Sequence, residues 1–180
     1  MKKGMINMMN HFKEISPEQL RKNTFQMLGK DWMLITAGNQ DKINTMTASW
    51  GGLGIMYGKE VAYVVIRPQR YTREFVDQEE TFSLSFLGKE YRKTLNYLGS
   101  VSGRDEDKIA KSDLTVGWID DTPYFEESNF IMVCKKLLRQ PLNIDCLLEE
   151  KLKQTWYRNN DTHILYIAEI TKLLKRVKGN

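Results

Sequence analysis

The strand-like stretches of this chain follow one another without a helix between each pair, and that spacing limits the fold more than any other feature. Trp32 to Ala37 has the length and residue types of a strand, Gly38-Asn39-Gln40-Asp41 turns the chain, and Asn44 to Trp50 returns. Glu60 to Ile66 is apolar on both faces and ends at Arg67-Pro68, because proline cannot donate to a ladder. Thr81 to Leu87 alternates, with Phe82, Leu84 and Phe86 on one face and Thr81, Ser83 and Ser85 on the other, as a half-buried or site-lining strand does. Asn129 to Leu138 and Thr162 to Leu174 complete at least six strands. Helices fall in clusters: Ser16 to Gly29, opened by a Ser16–Gln19 capping box; Arg73 to Glu79, capped by Thr72; Lys89 to Leu98, stopped by Gly99; short pieces at Lys108 to Lys111 and Ile144 to Leu152. No βαβ period exists, so a doubly wound sheet is disfavoured and a mainly antiparallel barrel with short peripheral helices is expected.

Length and composition fit that expectation. A chain of 180 residues with 41% hydrophobic and 28% charged residues suits one globular domain over residues 1–180, its first stretch a loose arm over residues 1–14. The net charge of +4 is mild. Lys172, Lys175, Arg176 and Lys178 read as a solvated helical end or tail first and a nucleic-acid contact second, so no nucleic-acid partner is expected. Cys134 lies in an apolar run and Cys146 has no ligand-spaced partner, which fits a reducing cytoplasm and excludes a disulfide framework. Two histidines, His11 and His163, exclude a histidine-rich zinc site, and no metal is expected. No apolar run reaches membrane-spanning length, and Met1 to Glu14 lacks the continuous apolar core of a signal peptide.

Hydrolytic and nucleotide-triphosphate chemistry find no motif. HExxH and GxxxxGK[ST] are absent, GGLG lacks the GxGxxG spacing, and the serines have no neighbouring histidine. The stretch Asn44 to Phe86 carries what remains. Thr45, Thr47 and Ser49 put hydroxyls on one strand face; an edge strand with a solvated outer face has the same pattern, and the residues alone leave both open. Gly51, Gly52 and Gly54 read as a glycine turn. RPQRYT then places Arg67, Arg70 and Thr72 just before a helix, where guanidinium groups and free N–H groups suit a phosphate. With Trp50 and Phe86 as apolar walls and the SVSGRDEDK loop adding hydroxyls and Lys108, the pattern suits a phosphorylated ligand with a flat ring.

NTMTASWGG, the strand ending RPQRYT, TFSLSF, GSVSGRDEDK and HILYIAEI, in this order, resemble the flavin reductase-like family, closest to its flavoredoxin-type branch, over about Asp31 to Ile170. The resemblance implies the FMN-binding split barrel, a six-stranded antiparallel Greek-key barrel. It implies an FMN-dependent oxidoreductase, with NADH or NADPH as transient donor or a redox partner protein, and a homodimer with one FMN per subunit. Carried onto these residues, Thr47, Ala48 and Ser49 would hold the ring edge and ribityl chain, with Trp50 close by. Arg67, Gln69, Arg70, Tyr71 and Thr72 would line the ribityl and phosphate end, Ser85 and Phe86 would flank the ring, and Ser102, Gly103 and Lys108 would close over the cofactor. His163 would lie near the flavin face. An electron carrier without efficient nicotinamide oxidation, and a non-redox binder of another phosphorylated ligand, are the alternatives.

Overall fold

The computed structural model describes residues 11–177. The described residues form ten strands: β1 (Phe12–Glu14), β2 (Met33–Gly38), β3 (Ile43–Ala48), β4 (Gly51–Met56), β5 (Lys59–Ile66), β6 (Thr81–Phe86), β7 (Val116–Ile119), β8 (Thr122–Phe125), β9 (Phe130–Pro141) and β10 (Ile164–Arg176). Seven of them form one antiparallel path, β3-β2-β6-β9-β10-β5-β4, with β1 added to β10, and β7-β8 is a separate hairpin. Three helices flank the sheet: α1 (Thr72–Gln78), α2 (Arg92–Ser100) and α3 (Glu150–Trp156). Among the described residues, no helix is long and apolar enough to cross a membrane.

Strand alternation places the core. Met33, Ile35, Ala62, Val64, Ile66, Phe82, Leu84, Met132, Cys134 and Tyr166 meet inside the barrel. On the outer side of β2, Leu34 packs with Leu95 and Leu98 of α2 and with Phe125. The long strands β9 and β10 bend at two register shifts, one between Ile167 and Ala168 and one between Ile170 and Lys172.

Several expectations are corrected. GGLG is not a turn but the start of β4, and Gly51 (φ 147°) is needed there because a Cβ would lie 2.2 Å from the Tyr63 carbonyl oxygen. The turn falls at Tyr57-Gly58, both at positive φ (56° and 68°), the backbone of a tight hairpin. Asn44 to Trp50 keeps its strand only to Ala48. The helix expected over Ser16 to Gly29 is broken into single turns at Pro17–Gln19, Thr24–Gln26 and Met27–Asp31, although Leu20, Met27 and Leu28 do face the core. Gly99 lies inside α2 rather than beyond it, and a Cβ there would come 3.1 Å from the Thr47 Cβ, a close strand–helix approach that favours glycine. The piece at Lys108 to Lys111 is a tight turn at Ala110–Ser112, and the one at Ile144 to Leu152 divides into Ile144–Cys146 and α3.

The hairpin β7-β8 turns at Asp120-Asp121, both at positive φ, and was not among the expected strands. It covers the hydroxyl face of β6, where Ser83 Oγ donates to the Pro123 carbonyl at 2.5 Å. The arm over residues 1–14 is partly fixed: Phe12–Glu14 pairs with β10, while residues 1–10 lie outside the described residues. Lys172, Lys175 and Arg176 sit on β10, not on a helical end or tail, and Lys178 lies outside the described residues.

Candidate functional site

One end of the barrel gathers most of the nominated residues around three adjoining cavities. The first, about 290 Å³, is walled by Thr47, Ala48, Ser49 and Trp50 where the chain leaves β3. Arg67 at the end of β5, Arg70, Gly99 and His163 close its sides. The second, about 190 Å³, holds Gln69, Tyr71, Thr72, Ser102, Gly103 and Lys108, and shares Arg70 with the first. The third, about 250 Å³, lies across Thr47–Ser49 against Trp32, Leu95 and Asn96 of α2.

The cations define the second cavity. Helix α2 ends at Ser100, and its last carbonyls lack intrahelical donors. Arg70 Nη1 donates to the Gly99 oxygen at 2.8 Å, and Lys108 Nζ donates to the oxygens of Leu98 at 2.8 Å and Val101 at 2.9 Å. Lys108 is only 3% exposed, yet neither it nor Arg70 has a carboxylate partner among the described residues. Burial and the neighbouring Arg70 charge bring the Lys108 ammonium down to about 8, and burial lowers Arg70 as well. An ammonium has three N–H groups, so one remains for the cavity after the two carbonyls.

Thr72 does not cap α1. Tyr71 precedes the helix in helical conformation without a side-chain bond, and the buried Thr72 hydroxyl instead accepts from Asn44 Nδ2 at 2.9 Å. Its own O–H is left to donate. Gly103 packs so close that a Cβ would lie 2.3 Å from Asn44 Oδ1. Ser102 Oγ accepts from the Arg104 N–H at 3.2 Å and holds the loop turn.

The first cavity is aromatic and nearly neutral on one side. Trp50 meets Trp156 edge-on at 4.8 Å and His163 at 5.0 Å, and Tyr157 Oη bonds His163 Nδ1 at 2.9 Å. Burial, helped by Arg67, pushes His163 down to about 4, so its ring is uncharged at neutral pH. Arg67 is matched: its Nη1 reaches Asp161 Oδ2 at 2.5 Å, Gln69 Nε2 reaches the same oxygen at 2.9 Å, and Arg67 Nη2 donates to the Trp156 carbonyl at 2.8 Å. Arg67 and Gln69 therefore fasten the α3 segment to β5 and leave the excess charge to Arg70 and Lys108.

Ser85 and Phe86 do not join these cavities. Ser85 Oγ accepts from the Phe125 N–H at 3.3 Å beneath β8, and Phe86 lies in the barrel core. Thr45 is likewise internal, bonded to the Ile35 carbonyl and Thr36. Thr47 Oγ1 donates to the Leu95 carbonyl at 2.5 Å, so the hydroxyl face of β3 is covered by α2 rather than solvated. Sequence reasoning missed Asn44, Asp161 and Trp156. Trp156 shows only as an aromatic pair with Tyr157 in a polar stretch, and nothing local marks Asn44 or Asp161 as partners of Thr72 and Arg67.

The family model described as Flavin reductase like domain matches residues 25–177. An FMN-binding domain of a flavin reductases-like enzyme from Shewanella baltica OS155 superposes with a TM-score of 0.67 at 19% identity, covering 92% of this chain and 78% of that one. Flavoredoxin from Methanosarcina acetivorans gives 0.62 at 20% identity, with 79% and 67% covered. Flavoredoxin of Desulfovibrio vulgaris (Miyazaki F) gives 0.61 at 23% identity, with 88% and 75% covered. These likenesses show the antiparallel split-barrel fold. No curated protein matches the chain.

Proposed function

The chain belongs to the flavin reductase-like family, and from that premise we propose that it binds FMN across the first two cavities and acts as an FMN-dependent oxidoreductase. The observation that carries this reading is the pair Arg70 and Lys108, a half-buried and a buried cation on one cavity without a carboxylate partner among the described residues. They fit a phosphate, and the adjoining slot at Thr47 to Trp50 fits a flat ring. FMN-binding among the structural neighbours supports the choice of ligand.

In this reading Arg70, Lys108 and the Thr72 hydroxyl hold the phosphate, and Gly103 lets the loop backbone approach it. Ala48 and Ser49 offer backbone groups to the ring edge, while Trp50 and Trp156 shield one side from water. His163 stays neutral and adds no charge beside the ring. When bound, FMN supplies the hydride and electron chemistry that no side chain here provides. That division of labour explains a site with no acid–base pair poised near neutral pH.

The donor is proposed to be NADH or NADPH, or a redox partner protein. A homodimer is proposed as well, supported by apolar groups left in solvent: Leu148 at 102% exposure, Ile55 on the β4 edge at 69% and Trp156, which lines the first cavity, at 45%. Both cysteines are free, which supports a cytoplasmic setting. The test is the visible spectrum of the purified protein with FMN, before and after anaerobic NADH and then NADPH. Bound-flavin bands that bleach with either donor support the enzyme. Bands that persist with both and bleach with dithionite point to an electron carrier; no flavin bands and no FMN titration signal refute the reading.

A further inference from the structure

A further cavity lies at the opposite end of the barrel. Strand β10 starts beside His163 and runs 13 residues, roughly 40 Å of chain, before Lys175, Arg176 and Val177 reach this second opening. The cavity measures about 760 Å³, within the range of small-molecule pockets. Its floor is apolar, made by Phe130 and Ile15, both packed on the barrel core. Its rim is cationic: Lys13, Arg21, Lys22 and Lys175.

Two of those exposed cations are set against each other. Lys13 stands directly opposite Lys175 in the antiparallel β1–β10 pair. Like charges at such a position repel. Lys22 pairs with Asp31, but among the described residues Lys13, Arg21 and Lys175 have no carboxylate within ion-pair distance. Residues 1–10 and 178–180 contain Lys2, Lys3 and Lys178 and no Asp or Glu. Arg176 is already engaged with the carbonyls of Ser128 and Glu126, so it holds the wall rather than a ligand.

We infer that this opening is a binding site for a small amphipathic anion, a medium-chain or aromatic carboxylate, whose charged head bridges Lys13 and Lys175 and whose apolar body lies on Phe130 and Ile15. The anion replaces a repulsive cross-strand pair with two charge-assisted contacts, and the apolar floor selects against a bare inorganic ion. The site is independent of the flavin reading, since it shares no residue with the cavities at the other end.

The experiment is calorimetric titration of the full chain with octanoate, octan-1-ol and inorganic phosphate, with thermal unfolding followed in parallel. Octanoate is expected to bind and to raise the unfolding temperature, whereas octan-1-ol and inorganic phosphate do neither. The double variant K13Q/K175Q is expected to bind octanoate at least roughly tenfold more weakly, as loss of two charge-assisted contacts requires. K175E, which gives Lys13 an opposite charge, is expected to unfold at a higher temperature without ligand and to lose octanoate binding. Absence of octanoate binding, equal binding by K13Q/K175Q, or equal binding of octan-1-ol or phosphate overturns the inference.

Discussion

Raising the pH should release FMN, and Lys108 is the reason. The free protein holds this ammonium near pH 8 because it is buried beside Arg70. A phosphate in the second cavity would favour the charged form, so its pKa in the complex lies higher. Binding above pH 8 must therefore take up a proton. The FMN dissociation constant is expected to be flat from about pH 7 to 7.5, where the phosphate is already dianionic. Above pH 8 it should climb toward tenfold per pH unit. Lys108→Met removes the titrating group together with one charge-assisted hydrogen bond. That variant should bind FMN roughly 10- to 150-fold more weakly at neutral pH, from a bond of about 1.5–3 kcal/mol, and its affinity should no longer change with pH over this window. The assay is quenching of flavin fluorescence on titration at each pH, with circular dichroism to confirm folding. A wild-type dissociation constant that is flat to about pH 9.5, well past the lowered ammonium, would refute the placement of Lys108 against the phosphate.

Thr72→Ala should weaken FMN by about 1–2 kcal/mol, because the hydroxyl is lost and Asn44 Nδ2 keeps no partner; Ser85→Ala, buried under β8, should leave the same titration unchanged. Leu148→Asp with Leu152→Asp should halve the mass measured by light scattering if these exposed side chains close a dimer. Tyr166→Phe should destabilise the barrel by about 1–2 kcal/mol in urea unfolding, since Tyr166 Oη donates to Asp77 Oδ1 at 2.7 Å. Burial raises Asp77, but hydrogen bonds from Arg139, Tyr166 and Arg73 outweigh it and hold the carboxyl below its ordinary value. Its contribution is thus complete above the unfolded carboxylate range and is lost as pH falls through the lower folded value; acid unfolding of Tyr166→Phe should begin at higher pH than in the wild type.

The strands were legible because their signal is local. Alternation in Thr81 to Phe86 and the apolar run Val61 to Ile66 report burial on one or both faces, and the structure pairs both. The glycines misled for a physical reason: Gly51 answers to the Tyr63 backbone across the β4–β5 ladder, a contact no local pattern contains. Ser85 misled in the same way, since an outward hydroxyl looks identical whether a ligand or the β7-β8 hairpin covers it. Arg70, Thr72 and Lys108 were nominated from residue types and a family resemblance, and they do share one cavity. Their actual partners, the α2 carbonyls and Asn44, depend on chain crossings invisible in the sequence. Asp161 was missed because its link to Arg67 spans 94 residues.

The carbonyls at the end of α2 do more than hold two side chains still. Arginine and lysine are among the side chains that lose most rotamer freedom when fixed, about 1.5–2 kcal/mol each. Here that loss occurs when the chain folds, not when an anion arrives, so an incoming phosphate meets donors that are already stationary. The same economy restricts what mutation can do. A substitution that removes either cation also leaves helix carbonyls without donors, so a variant that has lost the anion is expected to be a less stable protein too. Drift in sequence cannot easily erase this charge while keeping the fold intact.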